Sequence, residues 1–428
     1  MPALLAAALA GAPALAQTPP AAGQPAPAAP GAVRPVPPPP GEPAPAPPTT
    51  LTLPQAIALA LAANPTLAAA RLNLPVAGAQ VEVARERPNP DLLLEALRET
   101  PRQAATLSLP IETAGKRGRR VAAAEAGRAS TEAELARTTA EVRNQVRRAY
   151  YGLAAAQARS AEQREVLQLS ERVREAASAR FEAGAAPRLE VLQAELTAAQ
   201  ASNEAESAGA QLAGARAELN TLLARPADAP LAADDELGTG APPDPEAAVR
   251  LAAAASTELA LLDRRLAAQE ARVRLARAQQ VPDPVVQGAV THDAPPDFTW
   301  GWRAGITINL PVFHHHQAEV AVEERTLAQL HAERDGAAAR IAGAVAAAAH
   351  LAQAQRDQLL RYRNQILPHA AEVEAMAEDS YRSGQTGLPA LLQALQATRD
   401  LRLRALQSAL DFQTALADLE RAMGAPLP

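Results

Sequence analysis

"FEAGAAPRLEVLQAE" occupies residues 181–195, and "YRSGQTGLPALLQAL" occupies residues 381–395. An aromatic residue opens each stretch, Gly184 matches Gly384, and "LQA" at 192–194 returns at 392–394. Other landmarks follow at nearly the same spacing. "AELNTLLARP" (217–226) aligns with "ADLERAMGAP" (417–426), and "TLSLPIE" (106–112) with "TINLPVF" (307–313). Pro88-Asn89-Pro90 aligns with Pro282-Asp283-Pro284. Landmarks in one order at one spacing mean two copies of one unit. The copies are repeat 1 over 51–230 and repeat 2 over 245–428, joined by a linker at 231–244 rich in glycine, proline and acid.

Each copy reads in the same order. A first helix spans 53–87, and its counterpart 245–280. It stops at the Pro-Asn-Pro or Pro-Asp-Pro element, because proline lacks the N–H and crowds the preceding turn. Two strands follow, expected at 91–98 and 103–110 in one copy and at 285–292 and 299–310 in the other. A very long helix then runs to Gly184 or Gly384. About 70 residues at 1.5 Å each give ~105 Å. Pro368 interrupts the second long helix, where a kink is expected. Leu135, Val142, Val146, Ala149 and Leu153 follow a three-four spacing on the first, a narrow seam suited to helices packed side by side.

The strands carry a different signal. In "WGWRAGITINL" (300–310), Trp300, Trp302, Ala304, Ile306, Ile308 and Leu310 share one face. Gly301, Arg303, Gly305, Thr307 and Asn309 share the other. Eleven residues of period-two alternation suffice to cross a bilayer, and both tryptophans sit at one end, as an interfacial belt would place them. The competing reading is a half-buried hairpin on a soluble domain. Four strands cannot close a barrel in one chain, and an open sheet edge cannot face lipid. Two chains would supply eight strands and three chains twelve.

Residues 2–16, "PALLAAALAGAPALA", end in the Ala14-Leu15-Ala16 pattern before Gln17. They read as part of a signal peptide over 1–16, although no basic residue precedes the apolar run; the alternative is an alanine-rich tail. Residues 17–50 are so dense in proline that they read as an extended, disordered tether. No later run approaches 18 apolar residues, so no membrane-spanning helix is expected beyond it.

The composition agrees with long packed helices. The chain is 48% hydrophobic yet only 2% aromatic, and it has no cysteine. That excludes disulfides and thiolate chemistry. The net charge of −6, with both signs interspersed, leaves no basic footprint for nucleic acid. No P-loop, G-x-S-x-G or H-E-x-x-H element is present, so neither an enzyme nor a cofactor site is expected.

The duplicated strand-pair and long-helix unit, "LTLPQAIALALAANPTL" (51–67), "INLPVF" (308–313) and the turn at 381–395 resemble the outer membrane efflux protein family, whose fold is TolC-like. The resemblance covers about 50–428. "LPIETAGKRGRRV" (109–121), with Gly115-Lys116-Arg117, resembles the CzcC-like heavy-metal branch of that family. The fold class implied is mainly α with a small membrane β part. It comprises an α-helical barrel plus a trimeric transmembrane β-barrel with four strands per chain. The implied partners are two further copies in a homotrimer, outer membrane lipid, a periplasmic adaptor and an inner-membrane pump of the RND type. The implied function is the exit duct of a tripartite efflux pump in a Gram-negative outer membrane, extending into the periplasm. Its cargo on the CzcC-like reading would include heavy-metal cations. A periplasmic adaptor or a structural coiled-coil scaffold are the alternatives, and the duplicated strands argue against both.

On this resemblance the turns form the periplasmic tip. Gly184, Leu189 and Leu192, with Gly384, Leu388 and Leu392, are the candidate adaptor-docking residues, and hairpin packing is the plainer reading of Leu192 and Leu392. Glu182, Glu190, Glu378, Asp379 and Arg382 are candidates for charged rings at the tunnel entrance, against ordinary solvated helix ends. Trp300 and Trp302 are the candidate membrane-interface belt. His314, His315 and His316 are weak metal candidates. Three adjacent histidines cannot all face one ion from a helix, and the aligned Thr113, Ala114 and Gly115 offer no ligand set. The plainer reading is a solvated strand-to-helix turn.

Overall fold

The structure is a computed structural model that describes residues 50–427, apart from 97, 235 and 236. The segment read as a signal peptide, and the tether up to residue 49, lie outside the described residues.

Repeat 1 opens with a two-residue strand, β1 (Thr50–Leu51), and two helices, α1 (Leu53–Ala63) and α2 (Pro65–Arg85). Strands β2 (Asp91–Ala96) and β3 (Gln103–Pro110) follow, then α3 (Lys116–Glu182) and α4 (Arg188–Leu222). Strand β4 (Ala232–Ala233) lies in the linker and pairs in parallel with β1, a contact that has no sequence signal. Repeat 2 repeats the order: α5 (Pro245–Ala255), α6 (Thr257–Gln279), β5 (Pro284–Ala294), β6 (Phe298–Ile308), α7 (Gln317–Arg361), α8 (Leu367–Arg382) and α9 (Leu388–Met423).

The first helix of each copy differs from expectation, being two helices. The axis bends by 47° between α1 and α2. Asn64 decides the break. Its side chain accepts from the Leu67 amide at 3.2 Å, capping α2, and Pro65 fills the first position, where a missing N–H costs nothing. The Asn64 amide also donates to the Leu222 carbonyl at 3.0 Å, so the buried break receives the end of α4. Ser256 makes the matching break, accepting from the Leu259 amide at 3.4 Å. There the incoming end is Gly424 at φ 68°. A Cβ on it would lie 2.9 Å from the Thr257 nitrogen, so only glycine fits. Repeat 1 places Ala224 at φ 55° in the aligned position.

Helix α3 spans 67 residues, ~100 Å at the standard rise. In repeat 2 the same run is divided. Tyr362–Ile366 form a π-helical turn between α7 and α8, and Pro368 sits at the head of α8. A proline within a helical run frees the carbonyl one turn earlier, and a widened turn is one way to absorb it. This is the form the expected interruption takes. The turns themselves use left-handed glycines, Gly184 at φ 72° and Gly384 at φ 77°.

Two related cores hold the copies. In the first, Val142, Val146, Ala149, Tyr150 and Leu153 of α3 pack on Ala56 and Ala60 of α1 and on Leu219 and Leu223. Fully burying one such Leu or Val stabilises by about 1.5–3 kcal/mol. The Tyr150 hydroxyl donates to the Leu51 carbonyl at 2.9 Å and accepts from the Asp234 amide at 3.2 Å, which fixes the β1–β4 pair against α3. In the second core, Val345, Ala349, Ala352 and Leu359 of α7 pack on Ala248 and Ala252 of α5 and on Phe412, Leu416 and Leu419 of α9. Alanine at so many contacts lets the helices approach closely.

Candidate functional site

Four strands form one sheet in the order β2-β3-β5-β6, antiparallel throughout. The register decides what each face is. Leu107 is paired with Leu92 and Gly288, and Gly288 with Ala304. Leu94 continues through Ala105 and Val290 to Trp302, and Leu109 through Val286 to Ile306. The larger side chains in these rows are all exposed, with Trp302 at 84%. The opposite face carries Glu95, Thr106, Ser108, Gln287, Arg303 and Thr307. One face is therefore a largely apolar exposed surface, interrupted by Gln103 and His292 beside Trp300, and the other is mostly polar, with Leu93 and Val285 as exceptions. Trp300 and Trp302 lie at the end of this sheet farthest from the long helices, where β5 turns into β6. Strands β2 and β6 are the two edges and have no further strand partner among the described residues.

The sheet meets the helices through a dense polar joint. Asp283 accepts from the Thr113 amide at 2.7 Å and from its hydroxyl at 2.9 Å, and it pairs with Lys116 at 2.8 Å. Burial alone would raise the Asp283 carboxyl, but the bonds from Lys116 and Thr113 outweigh it and hold the carboxyl below the usual range. Arg117 donates to the Arg85 carbonyl at 2.7 Å, and Arg120 to the Ala84 carbonyl at 3.0 Å. These are end carbonyls of α2, which lack partners within the helix. The Gly115-Lys116-Arg117 element thus has a structural role. Gly115 starts α3 at φ 64°, and the basic side chains tie repeat 1 to repeat 2 and to α2.

At the opposite end the two hairpins pack on one another. Leu388 is 0% exposed and joins Ala177, Ala194 and Leu391, with Leu392 partly buried beside them. Leu189 and Leu192 stay outside, 62% and 50% exposed. Arg180 of one hairpin donates to the Tyr381 hydroxyl of the other at 2.8 Å and lies 3.7 Å from Glu190. Asp379 and Arg382 pair within one turn at 3.2 Å, both well exposed, and Glu182 is exposed as well. Glu378 lines a groove higher up among α3, α4, α8 and α9. Sequence reasoning missed the charges in that groove. Arg402 meets Glu162 at 3.4 Å and also Glu374, and Arg399 meets Glu204. No local pattern marks them, because they come from four helices of both copies.

The histidine triplet is divided. His314 and His316 face one another with ring centroids 4.4 Å apart, and His314 lies 2.8 Å from Glu319. His315 is not in this group. Glu319, on the first turn of α7, is a member that sequence reasoning did not include.

The fold is one shared with solved outer membrane channels. The chain superposes on a membrane protein from Pseudomonas aeruginosa with a TM-score of 0.72 at 21% identity, covering 87% of this chain and 92% of that one. It matches the CusC channel equally well, with a TM-score of 0.72 at 18% identity and the same two coverages. The Campylobacter jejuni CmeC outer membrane channel gives 0.71 at 16% identity, covering 87% and 85%. The profile of the outer membrane efflux protein family matches residues 56–225, most of the first repeat. Among curated relatives, the cobalt-zinc-cadmium resistance protein CzcC of Cupriavidus metallidurans is 31% identical over 280 residues. That alignment covers 63% of this chain and 65% of the relative, just under two thirds of its length.

Proposed function

We propose that the chain is one subunit of a passive exit duct in the outer membrane of a Gram-negative bacterium, serving a tripartite efflux pump. It transports and does not catalyse. Three copies close the sheet: each four-stranded piece supplies a third of a twelve-stranded barrel. The exposed apolar rows then face lipid and the polar face lines the lumen. The long helices extend ~100 Å into the periplasm. There Gly184 and Gly384 set the turns, and Leu189 and Leu192 remain free to meet a periplasmic adaptor, behind which stands an inner-membrane pump of the RND type. Leu388, being buried between the hairpins, shapes this end rather than touching the adaptor. Glu182, Asp379 and Arg382 are the exposed charges left for the tunnel entrance. Likeness to a cobalt-zinc-cadmium resistance protein favours heavy-metal cations among the cargo.

The observation that carries this reading is the sheet: a largely apolar exposed face whose two edges are unpaired among the described residues, joined to helices too long for a globular domain. The test is migration of unheated outer membrane fractions on a denaturing gel. A band at three times the subunit mass that collapses on boiling is expected. A monomer in the soluble periplasmic fraction would fit an adaptor or a scaffold and sink the proposal.

A further inference from the structure

The two copies of the unit differ at one place in a way that packing does not explain. Where repeat 1 begins its long helix with Gly115 at φ 64°, repeat 2 has His316 at φ 53°. Left-handed backbone is unfavourable for an ordinary L-residue, though histidine is among the residues found there more often. Repeat 1 makes its turn with Ala114 at φ 52° and Gly115 at φ 64°, so this turn forms there without a histidine.

The turn brings that side chain to two others. The ligand-type atoms of His314, His316 and Glu319 all lie within 4.8 Å of one another. His314 Nε2 is 2.8 Å from Glu319 Oε1, and His316 Nδ1 is 3.6 Å from the same oxygen. Around a tetrahedral ion with bonds of about 2.0–2.1 Å, donor atoms stand roughly 3.3 Å apart. The two separations to Glu319 bracket that value and the two imidazoles stay within 4.8 Å, so side-chain rotation brings all three donors onto one cation. In repeat 1 the aligned residues are Thr113, Gly115 and Gly118, none of which supplies such a donor.

We propose that His314, His316 and Glu319 form a binding site for a divalent transition-metal cation of the zinc class at the head of α7. Two imidazoles and one carboxylate are borderline donors matched to such ions and leave a fourth position open to water. His315 lies outside the set. The site stands apart from the duct reading, since it requires no export.

The experiment uses Co²⁺ alone as a spectroscopic probe, added to the full purified chain in detergent without a polyhistidine tag. One Co²⁺ per chain with visible d–d absorption of a nitrogen- and oxygen-ligated ion is expected. His316→Gly and His314→Thr each restore the residue that repeat 1 uses, so the fold is preserved by design, and circular dichroism checks it. Each variant, and Glu319→Gln, is expected to weaken binding by at least about tenfold, the scale on which even outer-shell changes act. His315→Ala and His331→Ala are expected to bind as the parent does. No saturable Co²⁺ binding, binding that survives His316→Gly, or equal loss in His315→Ala would each overturn the proposal.

Discussion

Gly384→Val is expected to leave trimers in the outer membrane and to cut export about tenfold. At φ 77° this residue needs the left-handed region, which a β-branched side chain enters only at a cost of ~1–2 kcal/mol or more. Space is not the issue, because an added Cβ would meet nothing within 4 Å. The strain acts on the turn itself, where the Gly384 amide donates to the Tyr381 carbonyl at 3.0 Å and the Gln385 amide to the Ser380 carbonyl at 2.9 Å. Just beyond it Leu388 is seated among residues of both hairpins. An energy of ~1–2 kcal/mol lowers the ratio of correctly formed to disrupted tip by roughly 5–30-fold. The sheet lies ~100 Å away, beyond the reach of that change. Export and adaptor capture are measured on membranes shown to contain normal trimer. Normal values for both would mean that the tip is not the docking end.

Ile306→Arg is expected to abolish assembly altogether. Ile306 lies in the row Leu109–Val286–Ile306 on the apolar face and is 68% exposed. An arginine on the lipid face of a barrel costs ~2–4 kcal/mol near the bilayer centre, and three copies would carry it. Thr307→Arg changes the neighbouring residue on the polar face and is expected to insert normally. Outer membrane fractionation with the unheated gel distinguishes the two variants. Equal assembly of both would show that the two faces do not divide lipid from lumen.

The sequence made the duplication legible because turns and helix stops depend on glycine and proline, which cannot be exchanged freely. The strands were legible because period-two alternation is local: the expected 91–98, 103–110, 285–292 and 299–310 appear as 91–96, 103–110, 284–294 and 298–308. The breaks at Asn64 and Ser256 were not. Asn64-Pro65 both ends one helix and starts another, and only the arrival of Leu222 from 158 residues away explains why the chain bends there. Leu388 looked like Leu189 of repeat 1, yet one is buried and the other exposed, because Leu388 packs against Ala177 and Ala194 of the first hairpin while Leu189 lies outside that cluster. Glu319 escaped notice because its meeting with His314 and His316 depends on one left-handed residue, which no spacing rule supplies.

The central claim is that β6 of one copy pairs with β2 of the next to close a barrel, and engineered disulfides test it most directly. The chain has no cysteine, so any bond formed is one that was introduced. Within the chain Thr106 of β3 lies opposite Ala289 of β5. Carried across the repeat, this places Thr307 opposite Glu95 of the next copy, both on the polar face. Glu95→Cys is therefore combined in turn with Thr307→Cys, Gly305→Cys or Asn309→Cys, which covers a slip of one pair either way. Opposed Cβ atoms at about 3.5–4.5 Å can bridge, and the periplasm is oxidising. Covalent dimers and trimers in the outer membrane, reduced to monomer by dithiothreitol, are the expected result for at least one pair. Monomers alone from all three pairs, in membranes where the protein is present at normal levels, would contradict the closed barrel.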